Sequence, residues 1–365
     1  MERKPVILIL TSTDEYGDVS ERIADAVRSL GTHNAVVVNQ TRYDGYVRNS
    51  AFYRWLRKYL SKYPVKAEKI KTRLSGLSRR SDKVRGRSRR IANAVKRYNP
   101  EFVLTVTPYA LAALADARAK IGTDCKTVHV INAFTYDKHD FPADVAEGYI
   151  VENSDVKDAL VEAGADARHT MVMGLPYRVR TLTADERAVQ REAKSLPQSP
   201  TVFLNATEAE NAEELLALLI DQGKLINTVC YADTTKLMAK LRRRADVASE
   251  RNSVAIISRR EQIDEFLSVS DVVITHYDPS VIYKSMQLGK PVIAFSDFER
   301  GKRDLEYLRE RGLIKCADKS IDTVGLLYDF LQADTAAQYA ERELARTQMY
   351  SVENLANYLT APELN

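Results

Sequence analysis

The chain predicts an α/β fold built as two doubly wound Rossmann-like domains in series. Three observations carry that expectation. Short runs rich in Val and Ile alternate with longer segments of helical period, the pattern of parallel sheets covered by helices. At 365 residues the chain is too long for one ordinary core. The alternation also stops and restarts: Gly174-Leu175-Pro176 closes one series, the charged polar stretch from Thr183 to Ser199 follows, and Thr201 opens the next. The expected division is therefore 1–178, 200–340 and a C-terminal helical segment, 341–365, returning to the first domain.

In the first half the apolar runs predict strands at Val6 to Leu10, Ala35 to Val38, Phe102 to Val106, Thr127 to Ile131, Tyr149 to Val151 and His169 to Val172. Helical spacing falls between them at Ser20 to Leu30, Ala110 to Lys120 and Asp155 to Ala163. The second half gives strands at Val202 to Leu204, Ile226 to Cys230, Val254 to Ile257, Val272 to Thr275 and Val292 to Phe295. Its helices are expected at Ala209 to Asp221, Thr234 to Arg243, Glu261 to Val269, Ser280 to Leu288 and Arg303 to Arg311.

Charge is concentrated in one place. Between Arg54 and Arg97 there are 17 Lys and Arg against Glu68 and Asp82, a net +15 in a chain of net +4, which leaves −11 elsewhere. The block interrupts the first domain between its second and third strands and has helical spacing in two pieces, Ser50 to Ser61 and Lys66 to Val95, separated at Pro64. In the first piece Phe52, Leu56 and Tyr59 or Leu60 share one face, with Trp55 nearby and Arg54, Arg57, Lys58 and Lys62 around the rest. Aromatics beside clustered cations suit an anionic bilayer, where each basic residue near the surface is worth about 1 kcal/mol. The same composition suits nucleic acid, where phosphate contacts dominate affinity. A solvated pair of cationic helices is the third reading.

An apolar content of 45% with 28% charged residues marks a globular chain. No apolar run reaches the roughly 18 residues a spanning helix needs, and Pro5 to Leu10 is followed by Asp14 and Glu15 rather than a signal cleavage site. The expectation is a cytoplasmic protein, or one peripheral on the membrane face that looks into the cytoplasm. Cys125, Cys230 and Cys316 are widely spaced, with no CxxC and no paired histidines, so neither a disulfide framework nor a zinc site is expected. No metal site and no cofactor are expected.

The order of local patterns resembles the B-type (GT-B) glycosyltransferases that include the monogalactosyl- and glucosyl-diacylglycerol synthases and the enzyme that adds N-acetylglucosamine to lipid I. Val6-Ile7-Leu8-Ile9-Leu10-Thr11-Ser12-Thr13, then Gly17 and a helix, resembles their opening acceptor loop. Gly148 to Ser154, a helix, Gly164 and Met173-Gly174-Leu175-Pro176 resemble their last N-domain strand and its exit. Ser270 to Thr275, a helix and Leu288-Gly289-Lys290-Pro291-Val292-Ile293 resemble their donor-site strand, helix and next strand. The resemblance runs over nearly the whole chain. It implies two domains facing a cleft and transfer of a sugar, without metal, from a nucleotide sugar, most simply a UDP-sugar, to a membrane lipid or lipid-linked acceptor, with an anionic membrane as partner.

Site residues follow from the same alignment. The family's opening loop ends in Gly-His; here Asp18 stands at the histidine position, a candidate base that is also a candidate helix N-cap. Asp137 and His139 lie near the family's acceptor-side aspartate and histidine, while the aligned aspartate position is Ala133 or Asn132. On the donor side the family's Gly-rich turn is replaced by Asn205-Ala206-Thr207-Glu208, and its paired glycines by His276-Tyr277-Asp278-Pro279-Ser280. There Asp278 reads as an N-cap and Pro279 removes a donor, so a carboxylate sits where a phosphate wants amides. Lys284 aligns with the family's ribose-binding glutamate, Glu299-Arg300-Gly301 with its Gly-Gln-Glu segment and Asp304 with an asparagine. Lys284, His276, Arg259 and Arg260 are the cations that could meet a diphosphate. The second reading is a noncatalytic relative that binds a membrane surface or polyanion through the basic insert. A nucleotide-sugar epimerase is a third two-domain possibility, which the insert argues against.

Overall fold

The structure is a computed structural model and describes residues 4–11, 17–39, 82–121, 125–138, 143–207, 211–222, 226–248, 253–332 and 352–361. It divides into two compact units: Met1–Asn132, Tyr136–Pro176 and Ser351–Asn365 form one, Ala133–Thr135 and Tyr177–Tyr350 the other.

The first unit is built on a six-stranded sheet ordered β2-β1-β3-β4-β5-β6. Its strands are β1 Val6–Thr11, β2 Asn34–Asn39, β3 Phe102–Thr105, β4 Lys126–Val130, β5 Gly148–Val151 and β6 Thr170–Val172. Every pairing is parallel. All six residues of β1 are buried, as a strand with helices on both faces must be. Helices Gly17–Ser29, Asp82–Tyr98, Pro108–Ile121 and Ser154–Glu162 connect the strands. The last is opened by Asn153, whose side chain accepts from Val156 N at 2.9 Å. Helix Asp82–Tyr98, the C-terminal end of the basic block, buries Ile91, Ala92 and Val95 against Leu8, Leu10, Val103 and Leu114. Helix Val352–Leu359 buries Leu355, Ala356 and Leu359 and packs on Gly17–Ser29.

The second unit repeats the plan with the order β12-β11-β10-β7-β8-β9, all parallel. Its strands are β7 Thr201–Asn205, β8 Asn227–Tyr231, β9 Val254–Ile257, β10 Val272–His276, β11 Val292–Phe295 and β12 Lys315–Cys316. Its core joins Leu204, Leu215, Leu216, Ile274, Ile293, Leu327 and Phe330 with Cys230. Cys125 is also buried and Cys316 half-buried, all three as free thiols. Burial pushes the Cys230 thiol up to about 12, so it packs as a small apolar side chain.

Four elements depart from the sequence reading. The stretch from Thr183 to Ser199, expected as a join, contains the helix Ala184–Ala193. Thr183 and Glu186 close a capping box on it, and Arg187 and Arg191 fix it to Asp271 at 2.6 and 3.3 Å. Helix Asp322–Phe330 and the two-residue strand β12 were not anticipated. The helix expected from Arg303 begins earlier, at Glu299. The first piece of the basic block, with Phe52, Trp55, Arg57, Lys58 and Lys62, lies outside the described residues.

Candidate functional site

In the second sheet the chain leaves β7 towards β8 and β9, then returns to lay β10 on the other side of β7 before continuing to β11 and β12. This reversal is a topological switch point, the place where open α/β sheets bind ligands, at the carboxyl ends of the two strands. Asn205 ends β7 and is paired in register with Thr275, one residue before the end of β10. Their side chains meet: Asn205 Nδ2 donates to Thr275 Oγ1 at 3.1 Å, and Asn205 Oδ1 accepts from Thr207 N at 3.3 Å. The buried Thr207 Oγ1 has no hydrogen-bond partner among the described residues. Asn205, Thr207, His276 and Ser280 thus stand at one edge of this sheet.

The turn after β10 is held open by its own backbone. Tyr277 N donates to Phe295 O at 2.8 Å, and Asp278 takes an extended conformation with φ −141°. Asp278 Oδ1 accepts from Ser280 N at 3.0 Å and from Val281 N at 3.2 Å, with Pro279 at the first helical position. The helix Pro279–Gln287 therefore starts with its free amides already satisfied by a carboxylate. At its other end Gly289, with φ 60°, lets Lys290 N reach Ser285 O at 2.9 Å and turns the chain into β11.

His276 is almost fully buried, its Nε2 3.6 Å from Asp297 Oδ2. Its ring lies edge-on to Phe295, with centroids 5.5 Å apart, and tilted to Phe298 at 5.9 Å. Phe298 also meets Tyr277 edge-on at 5.5 Å. Gly301 packs closely beside it: a Cβ there would displace the Ser296 hydroxyl and crowd the Phe298 ring.

Asp304 and Lys284 are both engaged by neighbours in the second unit. Asp304 is fully buried. It accepts from Tyr277 OH, from Thr135 Oγ1 and, at 3.2 Å, from Phe134 N. Burial raises its pKa against the pull of these bonds and of Arg300. A carboxylate so enclosed braces its neighbours and offers no oxygen to a ligand. Lys284 Nζ bonds Asp264 Oδ1 at 2.6 Å, neutralised on the flank of its helix by the helix Gln262–Val269. Arg259 is exposed and Arg260 half-buried beyond β9, two strands from the switch point. The charge of Arg260 reaches Tyr231 at the end of β8, where it opposes the rise that burial imposes on the phenol.

In the first unit the corresponding reversal lies between β1 and β3. Asp18 falls in the first turn of Gly17–Ser29 and its side chain lies outside the described residues, as does His139. The helix begins before Asp18, so the expected N-cap position is corrected to a first-turn one, where an acid is favoured by the helix dipole. Asp137 is half-buried on the loop after β4. Asn132, which alignment left as one of two positions, is buried and donates to Val106 O at 2.8 Å; its Oδ1 has no partner among the described residues. Asp297 and Phe298 were missed, because nothing in their spacing links them to His276. Among the described residues no group of three or more His, Cys, Asp or Glu could hold a metal, and no helix is long and apolar enough to cross a membrane.

The class this architecture defines is that of two Rossmann-like domains of the GT-B type. No family model matches the chain. It is 22% identical over 231 residues, 62% of this chain and 59% of the relative, to the processive diacylglycerol beta-glucosyltransferase of Bacillus licheniformis. The chain thus spans about three-fifths of the length of that curated relative. Its fold is similar to that of Anabaena HepE in complex with UDP and glucose, with TM-score 0.60 and 15% identity over 99% of both chains. It is similar too to the UDP-GlcNAc 2-epimerase of Neisseria meningitidis bound to UDP-GlcNAc, with TM-score 0.65 and 13% identity over 98% of this chain and 99% of that one.

Proposed function

We propose that the protein is a metal-independent glycosyltransferase that moves a hexose from a UDP-sugar to a membrane lipid or lipid-linked acceptor. The observation that carries this is the switch point of the second sheet, where Asn205, Thr207, His276 and Ser280 gather at the carboxyl ends of β7 and β10. The sequence likeness to a diacylglycerol glucosyltransferase, and the fold shared with proteins holding UDP or a UDP-sugar, support it. In this reading the second unit holds the nucleotide sugar, and the acceptor hydroxyl attacks the anomeric carbon while the Asp18 carboxylate takes its proton, with Asp137 on the acceptor side. His139 helps to orient the acceptor. The C–O bond to the diphosphate breaks and UDP leaves with the electron pair, its charge met by nearby cations. The basic block, through Phe52, Trp55, Arg57, Lys58 and Lys62, lays the protein on the anionic cytoplasmic face of the membrane where the acceptor resides.

The test is incubation with UDP-hexose and vesicles of anionic phospholipid containing diacylglycerol. Labelled sugar in the lipid phase with stoichiometric release of UDP is expected; neither product would overturn the reading. A noncatalytic relative that binds a membrane or polyanion is the second reading, and the capping of Ser280 N and Val281 N by Asp278 favours it. Vesicle flotation without any UDP binding would establish that alternative.

A further inference from the structure

The helix Pro279–Gln287 cannot offer a diphosphate its first amides, because Asp278 already holds Ser280 N and Val281 N. Charge for the phosphates must come from a side chain, and the expected cations are not equivalent. Lys284 is neutralised by Asp264, and Arg259 and Arg260 stand beyond β9. His276 alone of the four ends β10, at the switch point itself.

We infer that Asp297 is a positioning residue that holds His276 as an imidazolium, so that the switch point carries the positive charge a nucleoside diphosphate requires. Three features of the geometry support this. The carboxylate lies 3.6 Å from Nε2, with side-chain exposures of 5% for the histidine and 70% for the aspartate, so a buried ring faces a solvated anion. A buried charge is costly unless paired, and the Asp297 carboxylate, 3.6 Å from Nε2, is the acidic group placed against this ring. Phe295 and Phe298 fix the ring plane from two sides, so the imidazole keeps one orientation towards the carboxylate. Gly301, which leaves room for Phe298 to seat, extends the support to the following helix. The arrangement also offsets Asp278, two residues from His276, whose carboxylate would otherwise repel the same phosphates.

The inference rests on the reading of this edge as a nucleotide site, and the two are separable by experiment. Affinities for UDP and for uridine are measured by ligand-observed NMR on the full chain, for the wild type, Asp297→Asn and Asp297→Glu. Asp297 is exposed, so both variants fold, and circular dichroism verifies it. The expected result is a loss of roughly fivefold in UDP affinity in Asp297→Asn, the scale of one partly exposed ion pair. Uridine affinity is unchanged and Asp297→Glu recovers most of the loss. A purely structural role would weaken both ligands together, and that outcome, or unaltered UDP affinity in Asp297→Asn, overturns the role of Asp297 while leaving the nucleotide site standing. Absence of UDP binding in the wild type overturns both.

Discussion

Lys284 Nζ lies 2.6 Å from Asp264 Oδ1, tying the helix that follows β10 to the helix that precedes it. The pair is only partly open to solvent, with side-chain exposures of 14% and 28%, so removing one member leaves a poorly solvated charge behind. Lys284→Met is expected to lower unfolding free energy by about 1–2 kcal/mol in urea titration. UDP affinity should stay within twofold of wild type. A large loss of UDP binding with unchanged stability would return Lys284 to the ligand.

Asp278 sets the opposite balance. Asn caps helices about as well as Asp, so Asp278→Asn should leave stability within about 0.5 kcal/mol while removing a negative charge from the switch point. UDP affinity is expected to rise, as read by calorimetry. A fall would mean that the carboxylate takes part in binding.

Asp304 gives a pH signature. Its pKa is raised by burial, so the folded protein holds the proton more tightly than the unfolded chain. Its contribution is complete below the ordinary aspartate value and is lost as pH rises through the folded value. Asp304→Asn removes that titration while keeping the shape, so stability should decline less steeply in the variant as pH rises above the ordinary aspartate value. Identical pH profiles for the two proteins would contradict the assignment.

Lys290 gives a signature at the alkaline end. Burial, reinforced by Arg187 and Arg191 and opposed by Asp271, lowers its pKa to about 8. Between that value and the ordinary lysine range the unfolded chain binds the proton and the folded one releases it. Stability therefore rises with pH, by about 1 kcal/mol from pH 8 to pH 9. Lys290→Met should abolish this rise and be more stable than wild type at pH 7, measured by chemical denaturation across the range. Retention of the rise in Lys290→Met would place its origin elsewhere.

The sequence made most strands legible because parallel strands covered on both faces are continuous apolar runs: the runs Val202 to Leu204 and Val292 to Phe295 fall in β7 and β11 as expected. The helix Ala184–Ala193 escaped because it buries no residue, so it carries no apolar period; its readable sign was Thr183 with Glu186, a capping box. Strand β12, two residues long, leaves no pattern at all. At the candidate site, Asp278 as an N-cap was readable from Asp-Pro, a purely local signal. The pairing of Lys284 with Asp264, the three donors around Asp304 and the approach of Asp297 to His276 depend on tertiary neighbours 20 or more residues away, and no spacing rule reaches them.

The most direct measurement is thermal unfolding in the presence of UDP and UDP-hexoses. A ligand at 100 times its Kd stabilises the folded state by about 2.7 kcal/mol, so millimolar UDP should raise Tm by several degrees. No shift with UDP or any UDP-sugar would contradict a nucleotide-sugar site at the carboxyl ends of β7 and β10.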